Sequence, residues 1–306
     1  MTTISIVDVT GRDGFQNIGE PILTSDKVKI IKSIIDAGIE KLEIASFVSP
    51  RWLPQMRDAV SVVNEIDSYR RTLSRKVELI ALVPNLKGAI RGSETQVDSF
   101  VYPISVSERH NKENVNRTHA ESLDELKEIL SSTSKPITVG LATAFGSPYT
   151  DEVITADDVI DLALRVSNLG VSKITLADTM GNGNPRIVEQ ILRKAKQYLN
   201  IKEIALHLHN TFGFALANTL TALTYGIYEF ESATGGLGGC PFAKGAAGNI
   251  ATEDLVNFLV SMQYHTSVDI NQLMSSVSLL DKIIPNMVNS NYYRFEKGKE
   301  GKNASV

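Results

Sequence analysis

Two histidines separated by a single residue, His207 and His209 in the run HLHN, are the first feature of this 306-residue chain that could do chemistry. Side chains alternate along an extended strand, so both imidazoles point the same way with their Cα atoms ~6 to 7 Å apart. That spacing lets two nitrogens reach one metal ion, and only one further ligand is then needed. Asp13, in the run TGRDGFQN that follows the first apolar segment, offers a hard carboxylate. Two imidazoles with oxygen donors and open positions suit Mg²⁺, Mn²⁺ or Zn²⁺. The alternative for the histidines is a pair of core residues hydrogen-bonded to their neighbours, and for Asp13 a turn residue. A second unusual feature is Cys240, the single cysteine, set inside the glycine-rich run GLGGCPFAKGAAGN.

Positioning these residues requires a scaffold, and the chain supplies a regular one. Eight short runs rich in Ile, Val, Leu and Thr read as strands: 4–10, 41–46, 77–83, 99–107, 137–145, 172–179, 202–210 and 227–236. Segments with a period of about 3.6 residues separate many of them. Ser25, Ser122 and Thr155 stand where N-caps belong, and Gly38, Gly170 and Gly226 where helices close. Eight alternations in about 260 residues match a closed (β/α)8 TIM barrel of the α/β class, for which ~250 residues is typical. An open doubly wound sheet is the rival, but no GxGxxG follows the first strand. The whole chain, 1–306, reads as one domain: a barrel over 1–265, a C-terminal helical extension over 266–290 and a polar tail over 291–306.

In a barrel of this kind the active site lies at the carboxyl ends of the strands. Polar clusters occur there at five of them: TGRDGFQN after the first, Glu43 with SFVSP on the second, ADTMGNGNP at the sixth, HLHN at the seventh and GGLGGC after the eighth. The turn MGNGNP lacks the Lys-Ser/Thr of a P-loop and reads as the lead into a helix. The polar run 107–119, with Arg109, Lys112 and Arg117, reads as a rim loop. A formal charge of −4 with no long basic run argues against nucleic acid as partner. No apolar stretch approaches the ~20 residues of a membrane helix, and the amino terminus has neither a basic region nor a long apolar run. A lone cysteine makes no intrachain disulfide, which points to a reducing cytoplasmic setting.

RDGFQN (12–17), SFVSPRWLPQM (46–56), HLHNTFGFALAN (207–218) and above all GLGGCPFAKGAAGNIATEDLV (236–256) closely resemble the 3-hydroxy-3-methylglutaryl-CoA lyases. These belong to a superfamily of metal-dependent TIM-barrel lyases and synthases that includes isopropylmalate synthase. The resemblance runs from about residue 4 to about residue 283. It implies a divalent cation, Mg²⁺ or Mn²⁺ first and Zn²⁺ next, held by Asp13, His207, His209 and Asn249. It implies that Arg12 steadies negative charge on the substrate oxygen, that Arg12 and Gln16 bind substrate, and that Cys240 is the catalytic thiol of a loop. Glu43 and Asp178 fall on positions supporting the site, and His207 and Asp178 are candidates for accepting the hydroxyl proton. An acyl-CoA substrate and a homodimer through the C-terminal helices are also implied.

Four departures from that family's pattern stand out. Gly11 precedes Arg12 where Pro or Leu is usual, Ser147 replaces a cysteine, and Asn210 takes the place of a frequent Asp. Strand five, near residue 138, lacks the arginine that such lyases often carry; Pro136 to Leu164 contains neither Arg nor Lys. The last of these raises the alternative of a lyase or carboligase acting on a different 3-hydroxy-3-substituted acyl-CoA. A non-catalytic ligand-binding barrel is the remaining reading.

Overall fold

Eight parallel strands close into a barrel in chain order. They are β1 (Ser5–Asp8), β2 (Lys41–Ser46), β3 (Glu78–Leu82), β4 (Ser99–Ser105), β5 (Ile137–Ala142), β6 (Lys173–Asp178), β7 (Ile204–Leu208) and β8 (Glu229–Ser232). The computed structural model describes residues 2–239 and 248–303. Helices α1 (Thr24–Asp36), α2 (Ala59–Arg70), α3 (Leu86–Ser93), α4 (Glu108–Val115), α5 (His119–Ser132), α6 (Ala156–Ser167), α7 (Pro185–Tyr198) and α8 (Ala215–Thr224) lie between successive strands. After β8 come α9 (Thr252–Ser261), α10 (Ile270–Ile283) and α11 (Asn291–Asn303). The barrel with additional C-terminal helices therefore holds, and no described helix is long and apolar enough to cross a membrane.

Local structure differs from the sequence reading in four places. The first helix starts ahead of Ser25, with Leu23 at its N-cap and no side-chain cap. The fifth helix starts a turn before Ser122, because Thr118 and Glu121 form a capping box. Ser122 is instead buried, its hydroxyl accepting from Asn111 Nδ2 at 2.8 Å. The polar run 107–119 is not a plain loop: Ser107 N-caps α4, and Asn116 closes it in the left-handed region at φ 56°. The polar tail forms α11, because the buried Asp254 carboxylate accepts from Ser290 Oγ, Asn291 N and Tyr292 N at 2.7–3.0 Å and so satisfies the helix start.

Inside the barrel the register stacks inward-facing residues in layers drawn from alternate strands. From the N-terminal end upward these include Lys41, Ser99, Lys173 and Glu229; then Val7, Ile80, Thr138 and Ala205; then Glu43, Val101, Thr175 and Glu231; then Val9, Leu82, Gly140 and His207. Side-chain contacts agree with the stacking. Glu229 pairs with both Lys41 and Lys173, and Thr175 Oγ1 donates to Glu231 Oε1 at 2.9 Å across its own layer. Outward-facing Ile137, Val139 and Leu141 of β5 are buried under helices, whereas inward-facing Thr138, Gly140 and Ala142 are half-buried. The lumen is thus polar and incompletely filled, unlike the apolar packing usual in such barrels.

A cavity of about 170 Å³ occupies the N-terminal half of the lumen, with Lys41, Thr138, Lys173 and Glu229 on its walls and Glu43 and Glu231 lining it from the layer above Thr138. Thr138 therefore lies below the Glu43–Glu231 layer, two layers beneath His207. The cation missing from β5 is missing from this lower chamber, where Lys41 and Lys173 provide positive charge. It is not a gap beside the histidines.

Candidate metal centre

Strand β1 gives way at Thr10 to a single π-helical turn, Thr10–Gly14, that turns Arg12 and Asp13 into the barrel mouth. Gly11 permits this close approach: a Cβ there would stand 2.8 Å from Ile44 Cα of β2. Asp8 anchors the turn from below. Its buried carboxylate accepts from Thr10 N, Thr234 N, Thr234 Oγ1 and Thr252 Oγ1 at 2.8–3.1 Å, joining the end of β1 to the segments on either side of the glycine-rich run.

From the opposite side of this seam β7 delivers the histidines. Asp13, His207 and His209 are all buried, and one ligand atom from each lies within 4.8 Å of the others. The tautomers follow from what the Nδ1 atoms touch. His207 Nδ1 faces Glu231 Oε2 at 2.8 Å, and His209 Nδ1 faces the Thr179 carbonyl at 3.0 Å. Both acceptors require an Nδ1–H. The two Nε2 lone pairs are then aimed at each other across 3.0 Å, an arrangement that needs a cation or a proton between them.

Asn249 completes the constellation. Its Nδ2 donates to Asp13 Oδ2 at 2.7 Å and to the Leu237 carbonyl at 2.9 Å, while its Oδ1 is buried without a partner among the described residues. A buried orphan acceptor beside a carboxylate and two facing imidazole nitrogens fits a divalent ion with mixed N and O ligands. Gly238, at φ +104°, closes over this group, since a Cβ there would stand 2.5 Å from Asn249 Nδ2 and 3.0 Å from Asp13 Oδ2.

Charge supports the same fit. Arg12 donates to Asp13 Oδ1 at 2.5 Å and to Glu43 Oε2 at 2.8 Å, so one guanidinium stands among the carboxyls of Asp13, Glu43 and Glu231. Burial alone would raise the Asp13 carboxyl, but Arg12 and the two imidazoles override it and hold it well below the usual range. For Glu43 the balance goes the other way, with burial pushing it up against the pull of Arg12. Arg12 is driven above its ordinary value by Glu43 and Asp13 despite burial. Two polar atoms here, Arg12 Nε and Glu43 Oε1, have no partner among the described residues.

The remaining sequence-selected residues are placed as follows. Gln16 Nε2 donates to Asp13 Oδ1 at 3.0 Å. Asp178 closes β6 with both carboxylate oxygens near Gly183 N, at 3.1 and 3.2 Å, and burial pushes its pKa up to about 6. That pair shapes the turn carrying the Thr179 carbonyl, which orients His209. Cys240 lies outside the described residues. On the rim, Arg117 pairs with Glu125 and Arg109 stacks over Tyr149 at 3.8 Å. Glu231 was not among the sequence-selected residues; its signal was the in-register pairing His207↔Glu231 between two adjacent strands.

Comparison with known proteins agrees with this geometry. Hydroxymethylglutaryl-CoA lyase YngG of Bacillus subtilis is 38% identical over 282 residues, covering 91% of this chain and 92% of that protein. A crystal structure of the Bacillus subtilis HMG-CoA lyase superposes with a TM-score of 0.91 at 36% identity, over 97% of this chain and 99% of the other. An HMG-CoA lyase from Acinetobacter baumannii, solved in complex with coenzyme A and 3-methylmalate, superposes at 0.89 with 34% identity, over 95% and 94%. Residues 3–280 match the HMGL-like family, and with a closed barrel, a metal cluster at its mouth and relatives matched nearly end to end, the chain belongs to that family.

Proposed function

We propose that this protein is a divalent-metal-dependent carbon–carbon lyase that cleaves 3-hydroxy-3-methylglutaryl-CoA to acetyl-CoA and acetoacetate. The observation that carries the proposal is the buried Asp13–His207–His209 group with opposed Nε2 lone pairs and the orphan Asn249 Oδ1 beside it. Asp13, His207, His209 and Asn249 are the residues that would hold the ion, Mg²⁺ or Mn²⁺ first and Zn²⁺ next. When bound, a divalent ion supplies Lewis acidity that lowers the pKa of the substrate's C3 hydroxyl and holds that hydroxyl beside the substrate carboxylate.

The chain's own groups then divide the work. Arg12, fixed by Asp13 and Glu43, offers a pre-oriented cation to the thioester oxygen as the C2–C3 bond breaks and charge moves onto the enolate. Such preorganised donors are commonly worth ~3 to 4 kcal/mol. Gln16 extends the polar wall on the Asp13 side. His207 is a ligand and not the proton acceptor, because Nδ1 is committed to Glu231 and Nε2 faces the centre. Asp178 acts by positioning His209 through the β6 turn. Cys240 delivers the proton that converts the enolate carbon of acetyl-CoA to methyl; a thiol with an ordinary pKa near ~8.5 is a usable donor at neutral pH. The same reading includes an acyl-CoA reaching the mouth from solvent, a cytoplasmic setting and a homodimer through the C-terminal helices.

The test is direct. Purified protein with Mn²⁺ or Mg²⁺ is incubated with 3-hydroxy-3-methylglutaryl-CoA, and acetyl-CoA and acetoacetate are quantified. Equal amounts of both products, lost on chelation and restored by the ion, are expected; absence of cleavage under every ion tested rules the proposal out.

A further inference from the structure

The layer of the lumen that contains His207 is incomplete, and the gap lies at the height where C3 of a substrate would sit. Its members are Val9, Leu82, Gly140 and His207. In a filled barrel four side chains from alternate strands meet and close such a layer. Here one is turned toward the metal cluster and one, Gly140, has no side chain at all. Among the described residues, a Cβ at Gly140 would meet only Val101 Cγ1, at 3.7 Å, which is ordinary contact. Its backbone is not in the left-handed region, so the glycine is not required by conformation.

Around that position the wall is small or apolar and partly open: Leu82, Pro103, Ala142 and Ala177 are all half-buried, whereas outward-facing Tyr102, Leu141 and Leu176 are fully covered. The lower cavity includes Thr138 in its lining but not Gly140, so the space beside Gly140 belongs to the mouth side of the lumen. Thr175, the register partner of Gly140, is one hydrogen bond from Glu231, and Glu231 holds His207. An apolar group carried on the carbon whose hydroxyl lies at the metal centre therefore has unfilled, largely apolar space across the lumen.

We propose that Gly140 sets the size limit for the C3 substituent, and that the protein cleaves 3-hydroxyglutaryl-CoA thioesters carrying ethyl or propyl at C3 as well as methyl. The inference rests on the lyase reading above. The reaction keeps the same balance. The C2–C3 bond breaks with its electron pair going to C2, which takes one proton to become the methyl of acetyl-CoA. The C3 hydroxyl gives its proton to water at the open mouth as the oxygen becomes the ketone of a 3-oxo acid bearing the longer chain, and one proton from solvent restores the donor that protonated C2, so no net proton is gained or lost.

The experiment compares kcat/KM for the 3-methyl, 3-ethyl and 3-propyl esters in wild type, Gly140→Ala and Gly140→Leu, following acetyl-CoA release. A pocket that closes on methyl rejects each added methylene by roughly 10- to 200-fold. The expected result is that wild type handles ethyl and propyl within about tenfold of methyl. Gly140→Leu should lower the propyl-to-methyl ratio at least about tenfold, with Gly140→Ala between. Wild type rejecting the ethyl ester by more than that, or a ratio unmoved by Gly140→Leu, overturns the inference while leaving the lyase reading intact. Failure of wild type to cleave any of the esters, methyl included, removes the lyase reading itself. Should Gly140→Leu not fold, the wild-type series and Gly140→Ala decide the matter.

Discussion

Removing the Glu231 carboxylate tests whether this side chain is what holds His207 ready for an ion. Its Oε2 takes the Nδ1–H of His207 at 2.8 Å and its Oε1 takes the Thr175 hydroxyl at 2.9 Å, so both its position and the imidazole tautomer are fixed. A hydrogen bond to a charged acceptor is worth ~1.5 to 3 kcal/mol. Loss of such a partner behind a ligating histidine typically weakens metal binding about 10- to 100-fold, or roughly 1.4 to 2.8 kcal/mol. Glu231 also borders the 170 Å³ lower cavity, so water can take over part of the acceptor role in Glu231→Ala and the loss should fall toward the lower end. Glu231→Gln keeps an acceptor at nearly the same place and should lose less than about tenfold. The assay is calorimetric titration of Mn²⁺ into chelator-stripped wild type, Glu231→Gln and Glu231→Ala, with circular dichroism to confirm the fold. Wild-type affinity in Glu231→Ala would refute the argument. Equal losses in the two variants would replace it with one based on charge alone.

Two further predictions concern the glycine-rich run and its support. Cys240→Ser should bind Mn²⁺ as wild type does yet lose about 100-fold or more in turnover, the usual contribution of a positioned acid; unchanged turnover in a steady-state assay removes the thiol from the reaction. Glu253, fully buried, accepts from Gly235 N at 3.0 Å just before that run, and burial pushes its carboxyl up to about 7. Because the folded value lies above the ordinary glutamate value of 4.5, the stabilisation it reflects is complete below about pH 4.5 and is lost as pH rises through about 7. Urea unfolding from pH 5 to 8 should therefore show wild type losing ~2.5 kcal/mol more than Glu253→Gln. Parallel pH profiles would mean that Glu253 does not titrate in this range.

The barrel and most of the candidate site are legible in the sequence, for reasons that are local. Strand alternation alone makes His207 and His209 face one way, and eight closed alternations bring the end of β1 beside β7 and β8, which is what lets Asp13 meet them. What escaped the sequence depends on partners far along the chain. Glu231 looks like any polar residue in a strand until the His207↔Glu231 register is known. The start of α11 is satisfied by Asp254 from α9, so a polar segment without helical periodicity still forms a helix. Polar α4 is held at both ends by Ser107 and Asn116 more than by an apolar face. The departure at residue 138 was visible, but its depth below the histidines follows only from the stagger of the closed sheet.

The Asp8 carboxylate and the metal cluster bridge the same seam, the one between the first and last strands. Asp13 belongs to one side of it and His207, His209 and Asn249 to the other, so the proposed ligand set exists only once the ring has shut. Ion occupancy and the final docking of β1 against β8 are therefore thermodynamically linked: an ion held at 100 times its Kd adds about 2.7 kcal/mol to that last step. A chain still emerging from synthesis, or one cut before β7, carries Asp13 but can assemble no such centre, which makes the appearance of high-affinity metal binding a clock for completion of the fold.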